Sequence, residues 1–99
     1  MQPMTVQEIA AAAGGAWKNP RADAPAVSAV ATDSRNLESG CLFVPWVGTR
    51  FDGHDYIEQA LEGGAAGCLC ARLPERLRPD RFYIQVPDTR LALRALASA

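Results

Sequence analysis

Thr32-Asp33-Ser34-Arg35-Asn36-Leu37-Glu38-Ser39-Gly40-Cys41-Leu42-Phe43-Val44-Pro45-Trp46-Val47-Gly48-Thr49-Arg50-Phe51-Asp52-Gly53-His54-Asp55 is the stretch around which the chain is organised. Asp33-Ser34-Arg35 is a polar cluster that closes one expected strand. Leu37 to Gly40 has the composition of a turn. Cys41 to Val47 then reads as a buried strand. Pro45 is awkward there, because proline donates no ladder hydrogen bond; it suggests a strand edge, a bulge or an early end. Gly48 to His54 is a second polar loop and leads into a helix. Two polar loops separated by one strand can lie side by side and face one ligand.

Upstream, Thr5-Val6-Gln7-Glu8 matches a capping box, with Met4 and Ile9 at the two positions of a hydrophobic staple. The alanines that follow continue a helix, and Gly14-Gly15 stop it, which predicts helix over residues 6–13. Ala16-Trp17-Lys18 has the makings of a short strand, broken by Asn19-Pro20. Residues 21–25 read as a loop. From Val27 to Thr32, Val27, Ala29 and Ala31 alternate with Ser28, Val30 and Thr32, the period of a strand.

Downstream, Tyr56, Ile57, Ala60 and Leu61 have helical spacing, with Asp55 or His54 as the expected N-cap and Gly63-Gly64 as the stop. Residues 65–71 form a small apolar run expected as a buried strand, residues 74–80 a charged loop, and residues 82–86 another strand. Pro87-Asp88-Thr89 opens a last helix with Leu91, Leu93, Ala95 and Leu96 as its apolar positions. Its end, Ala97-Ser98-Ala99, carries no stop signal and looks cut. The fold class expected is therefore α/β: a single small domain with a mixed β-sheet flanked by about three helices.

The 99 residues suit one domain with its own core. With a net charge of −1, the chain offers no bulk electrostatic case for nucleic acid or an anionic membrane, so any anion must be held by local groups. No apolar run approaches a membrane span, and the N-terminus lacks the regions of a signal peptide. The cysteines Cys41, Cys68 and Cys70 agree with a reducing, cytoplasmic setting. Cys68 and Cys70, two apart in a strand, share a face as core or half-buried thiols. With one histidine and no Cys-x-x-Cys, the chain gives no convincing metal-ligand set.

Several residues carry usable chemistry. Arg35 beside Ser34 offers a guanidinium fork and a hydroxyl, a pairing that suits phosphate or diphosphate. The structural alternative is that Asp33 caps the turn and Arg35 pairs with an acid, and spacing alone favours it. Gly48 to His54 combines permissive glycines, donors and an aromatic ring that can reach a nucleobase, or else forms a plain turn with Phe51 as a core plug. His54 has no serine or cysteine nucleophile assigned to it and is expected to be structural. Cys41 opens an apolar run and is expected to be a buried, inert thiol. Neither a Gly-x-x-x-x-Gly-Lys-[Ser/Thr] phosphate loop nor a Gly-x-Gly-x-x-Gly fingerprint is present, so this chain shows no machinery for ATP.

Thr32-Asp33-Ser34-Arg35, Gly40-Cys41-Leu42-Phe43-Val44, Gly48, Phe51-Asp52-Gly53-His54-Asp55, Gln59-Ala60, Gly64-Ala65-Ala66 and Val86-Pro87-Asp88-Thr89 together resemble the N-terminal domain of the Mur ligases, which build the peptide stem of bacterial peptidoglycan. The resemblance covers nearly the whole chain. Within the family, the Thr5–Ala10 helix and the Arg50–Asp55 segment look most like the member that adds D-alanyl-D-alanine; the member adding the third stem residue comes second. Two departures stand out: Cys41 replaces a usual Asp, and Pro45-Trp46-Val47 replaces residues of Ala-Leu-Lys type.

The resemblance implies a three-domain ligase. Its N-terminal domain holds the UDP part of a UDP-N-acetylmuramoyl peptide. Its central domain binds ATP and Mg2+, and its C-terminal domain receives the incoming amine. An acyl phosphate forms on the substrate carboxylate and the amine attacks it. Carried onto this chain, the resemblance implies UDP contacts from Thr32, Ser34, Arg35, Thr49, Arg50 and Phe51, with Arg35 on the diphosphate and Asp52, Gly53 and His54 shaping the loop. The chain alone is then a substrate-binding piece without catalytic residues. The rival expectation is a non-enzymatic interaction module on the same scaffold.

Overall fold

A computed structural model describes residues 3–19, 25–50 and 52–98. In chain order the elements are α1 (Val6–Ala13), β1 (Ala16–Trp17), β2 (Val30–Ala31), β3 (Leu42–Phe43), α2 (Ile57–Glu62), β4 (Gly67–Cys70), β5 (Phe82–Gln85) and α3 (Thr89–Ser98). A 3-10 turn, Gly53–Tyr56, leads directly into α2. The strands form one mixed sheet in the order β1-β5-β4-β3-β2. β2, β3, β4 and β5 run parallel, and β1 pairs antiparallel with β5. The α/β class and mixed sheet expected from the sequence are present.

Alternation along each strand builds a core on both faces of the sheet. Leu42, Val44, Leu69, Phe82, Ile84 and Val86 point to one side, where Val6, Ile9 and Ala13 of α1 and Ala92 of α3 cover them. Cys41, Phe43, Cys68, Cys70 and Tyr83 point to the other, under Ile57, Ala60 and Leu61 of α2. Burial on both faces is what a parallel sheet requires. The thiols of Cys41, Cys68 and Cys70 are all free and buried, as expected; burial pushes the Cys41 thiol up, which makes it a poor nucleophile.

Local signals set the helix ends. The Thr5 hydroxyl accepts from Glu8 N at 3.1 Å, and the Glu8 carboxylate accepts from Thr5 N at 2.9 Å, closing the capping box. Gly14 takes the left-handed conformation (φ 70°) at the C-cap. At α3, Asp88 Oδ1 accepts from Arg90 N at 2.8 Å.

Three expectations needed correction. The segment 27–32 is not one strand: Val27 pairs antiparallel with Met4, and only Val30 and Ala31 pair with β3. Neither Asp55 nor His54 caps the helix before Gly63: α2 begins at Ile57 with no side-chain cap, and the capping side chain is Asp52, which captures His54 N at the start of the 3-10 turn that leads into it. In α3 the buried face is Thr89 and Ala92, with Leu93 and Leu96 partly covered; Leu91 is 59% exposed and Ala95 is exposed. Pro45 does end its strand early: the last ladder bond beside it is Val44 N to Ala31 O, at 2.8 Å. Expected features at residues 20–24 lie outside the described residues.

Gly67 sits opposite Phe82 in the β4–β5 register. A methyl group there would run into the Phe82 ring, which is fully buried and has no free space to move into. Gly67→Ala should lower stability by roughly 1–3 kcal/mol through overpacking. Thr5→Ala removes only an exposed cap bond, which costs about 1 kcal/mol. Thermal melts should therefore show a larger drop for Gly67→Ala; an equal or smaller drop would contradict the packing around Phe82.

Candidate functional site

The parallel strands bring their C-terminal ends to one edge of the sheet, where ligands of open α/β sheets sit. β2 ends there in Thr32-Asp33-Ser34-Arg35, and β3 ends there in Pro45-Trp46. Between them and the start of α2 lies a cleft of about 420 Å³ lined by Thr32, Asp33, Ser34, Arg35, Trp46, Tyr56 and Gln59. Its walls carry hydroxyls, an amide, a guanidinium and two aromatic rings.

Asp33 organises the first loop. Its Oδ1 accepts from Arg35 N at 2.9 Å and from Arg35 Nε at 3.2 Å; its Oδ2 accepts from Arg35 Nη2 at 3.3 Å. Asp33 is therefore both turn cap and ion-pair partner of Arg35, the structural alternative weighed from the sequence. The Arg35 side-chain and backbone bonds hold the Asp33 carboxyl below its ordinary range. The same pair raises the Arg35 guanidinium. Arg35 remains 82% exposed, so the pair is weak and the fork is open to competition from a stronger anion.

Asp52 organises the second loop. Its Oδ1 accepts from His54 N at 2.9 Å and lies 2.7 Å from His54 Nδ1, while Arg72 Nη2 donates to its Oδ2 at 2.7 Å. The imidazole is nearly buried, and Ala71 N donates to its Nε2 at 2.9 Å. An Nε2 that accepts requires the proton on Nδ1, so Nδ1–H donates to Asp52 Oδ1. His54 thus joins the loop to the end of β4. Gly53 N donates to Trp46 O at 2.7 Å, and a Cβ at Gly53 would stand 2.6 Å from Trp46 N. Asp52, Gly53 and His54 therefore shape this loop, as expected.

Thr32, Ser34 and Arg35 are brought together in the cleft. Thr49 and Arg50 are exposed, after the Val47–Asp52 bridge begins, and do not line it. Phe51 lies outside the described residues. Trp46, Tyr56 and Gln59 belong to the cleft but were missed as site residues. The one available signal was Trp46, an aromatic directly after a proline.

A family model described as "Mur ligase family, catalytic domain" matches residues 26–99. The chain belongs to the Mur ligase family. The resemblance to its N-terminal domain stands. This Mur ligase domain is 42% identical over 95 residues to UDP-N-acetylmuramoyl-tripeptide–D-alanyl-D-alanine ligase of Bacillus subtilis, covering 96% of this chain and 21% of the relative. Against UDP-N-acetylmuramoyl-L-alanyl-D-glutamate–2,6-diaminopimelate ligase of Bacteroides fragilis it is 48% identical over 63 residues, covering 64% of this chain and 13% of the relative. A crystal structure of MurF from Acinetobacter baumannii superposes with a TM-score of 0.86 at 31% identity, covering 99% of this chain and 21% of that one. The chain spans about a fifth of the length of these ligases, 21% of the Bacillus relative.

The Asp52 hub makes a pH prediction. Backbone donation from His54, then the bond from Arg72, holds the Asp52 carboxyl down at about 2. A lowered carboxyl pKa stabilises the fold above the unfolded value of about 3.9, and that contribution disappears as pH falls through the folded value. A carboxyl NMR titration should place Asp52 near 2, and Arg72→Ala should move its midpoint upward. An Asp52 midpoint at the ordinary carboxylate value would contradict the hub.

Proposed function

We propose that this chain is the UDP-substrate-binding N-terminal domain of an ATP-dependent ligase of bacterial peptidoglycan synthesis. In the cytoplasm, the full-length enzyme adds D-alanyl-D-alanine to UDP-N-acetylmuramoyl-tripeptide. The observation that carries this reading is the convergence of Thr32, Ser34, Arg35 and Gln59 on one cleft in a Mur ligase domain. Hydroxyls and an amide suit the edges of a base and a ribose. The Arg35 fork suits the diphosphate, to which charge-assisted bonds are shorter and stronger than neutral ones. Thr49, Arg50 and Phe51 would close over the uracil from the second loop. In this reading the domain binds and orients; it has no part in bond formation.

ATP and Mg2+ do not fit these residues. The sequence lacks a phosphate loop, and the described residues contain no group of His, Cys, Asp and Glu placed to hold a metal. A MurF from Thermotoga maritima has been crystallised with ADP and is similar over 71% of this chain, at a TM-score of 0.53, but the match covers only 17% of that protein. We assign ATP, Mg2+ and the chemistry of acyl transfer to the remainder of the full-length enzyme, with its central domain as this domain's partner. The diaminopimelate-adding ligase is the second reading, favoured by the 48% identity to the Bacteroides relative. No helix is long and apolar enough to cross a membrane among the described residues.

Calorimetric titration of the chain with UDP tests the proposal. Wild type should bind, and Arg35→Ala should weaken binding roughly ten- to a hundredfold, the equivalent of about 1.5–3 kcal/mol for hydrogen bonds to a charged group. Equal affinities would remove Arg35 from the diphosphate site. No binding by wild type would favour the interaction module.

A further inference from the structure

Trp46 lines the cleft, and its backbone is held there from both sides. Pro45 before it is fully buried and anchors the chain to the core. The Trp46 carbonyl accepts from Gly53 N at 2.7 Å, and Gly53 leaves no room between its backbone and that of Trp46. The backbone on both sides of the indole is thus fixed, yet Trp46 stays 47% exposed. Tyr56 is 39% exposed and lines the same cleft. Among the described residues the exposed large hydrophobics are Val30, Trp46, Tyr56 and Leu91, so both aromatic members of that set face one cleft.

An aromatic ring on a fixed backbone, beside hydroxyls, an amide and a guanidinium, has the parts a nucleotide requires. The base needs a flat apolar surface as well as partners for its edges. Trp46 also borders a second groove, of about 540 Å³, lined by Asp88, Arg90, Leu91, Leu93, Arg94 and Ala97 along α3. Burial of Trp46 against another domain through that groove is the competing use of the same side chain. The α3 groove also offers guanidiniums, from Arg90 and Arg94, but the hydroxyls of Thr32 and Ser34 and the amide of Gln59, the groups that suit the edges of a base, lie on the cleft side, and they decide for the base.

We propose that Trp46 is a stacking platform for the uracil base, with Tyr56 as the second aromatic wall. The proposal rests on the nucleotide reading of the cleft. An aliphatic side chain gives a base contact area; an indole adds a π-face, and base–aromatic stacking is lost on truncation to alanine.

UDP titrations of wild type, Trp46→Ala, Trp46→Phe and Leu91→Ala test it, with thermal melts confirming that each variant folds. Trp46→Ala should weaken UDP binding by roughly five- to a hundredfold, the size expected from stacking of one base. Trp46→Phe should retain most of the affinity. Leu91→Ala, on the α3 side, should leave it unchanged. UDP should quench the tryptophan emission of wild type; in Trp46→Phe, where Trp17 still emits, the quench should vanish. Full affinity in Trp46→Ala, a quench that survives in Trp46→Phe, or an equal loss in Leu91→Ala would overturn the platform while leaving the nucleotide reading intact. Failure of wild type to bind UDP would overturn both.

Discussion

The bond from Gly53 N to Trp46 O, 2.7 Å long, is the contact on which the site depends. It closes the second loop onto the end of β3 and so ties the strand end to the turn that starts α2. Only glycine permits the approach, because any Cβ at this place would meet the backbone of Trp46 and Pro45 at 3.0 Å or less. Backbone cannot yield as a flexible side chain can. Asp52 and His54 then fasten the same loop to Arg72 and Ala71 at the end of β4. The cleft wall is therefore braced from two strands.

The sheet explains why such bracing is useful. Four parallel strands deliver their ends to one edge, and each end brings a short loop that carries polar groups. The core on both faces is made of alternating apolar side chains, which leaves the loops free of packing duties. Residues within the ladder hold the fold, and residues just past the C-terminal ends of β2 and β3 line the cleft.

Whatever depended on near neighbours was legible in the sequence. Thr5 and Glu8 are three residues apart and satisfy each other's backbone; Gly14 stops its helix through its own φ. Strand extent was harder to read. Residues 27–32 alternate as one strand should, yet Met4 takes Val27 as a partner and divides the segment. Such a competition between distant strands has no local signature. The cap of the turn before α2 was misplaced because Asp52 reaches forward to His54 N and starts the turn earlier than the apolar spacing suggests. In α3, Leu91 fits an apolar pattern but falls off the stripe set by Thr89, Ala92, Leu93 and Leu96, which only packing on the sheet defines. Of the cleft, the Thr32–Arg35 side could be read from one segment. Trp46, Tyr56 and Gln59 come from other elements and join it only in three dimensions.

The pairing of Arg35 with Asp33 gives the cleft an internal counter-ion. A bare guanidinium would accept any passing anion. In the proposed reading, an incoming phosphate displaces or shares a carboxylate already seated on the fork, so recognition becomes an exchange of anions. Such an exchange lowers the affinity for a simple inorganic ion more than for a ligand that brings further contacts of its own. Under the proposed nucleotide reading, the domain tolerates a phosphate-rich surrounding and still responds to a molecule that fills the whole cleft.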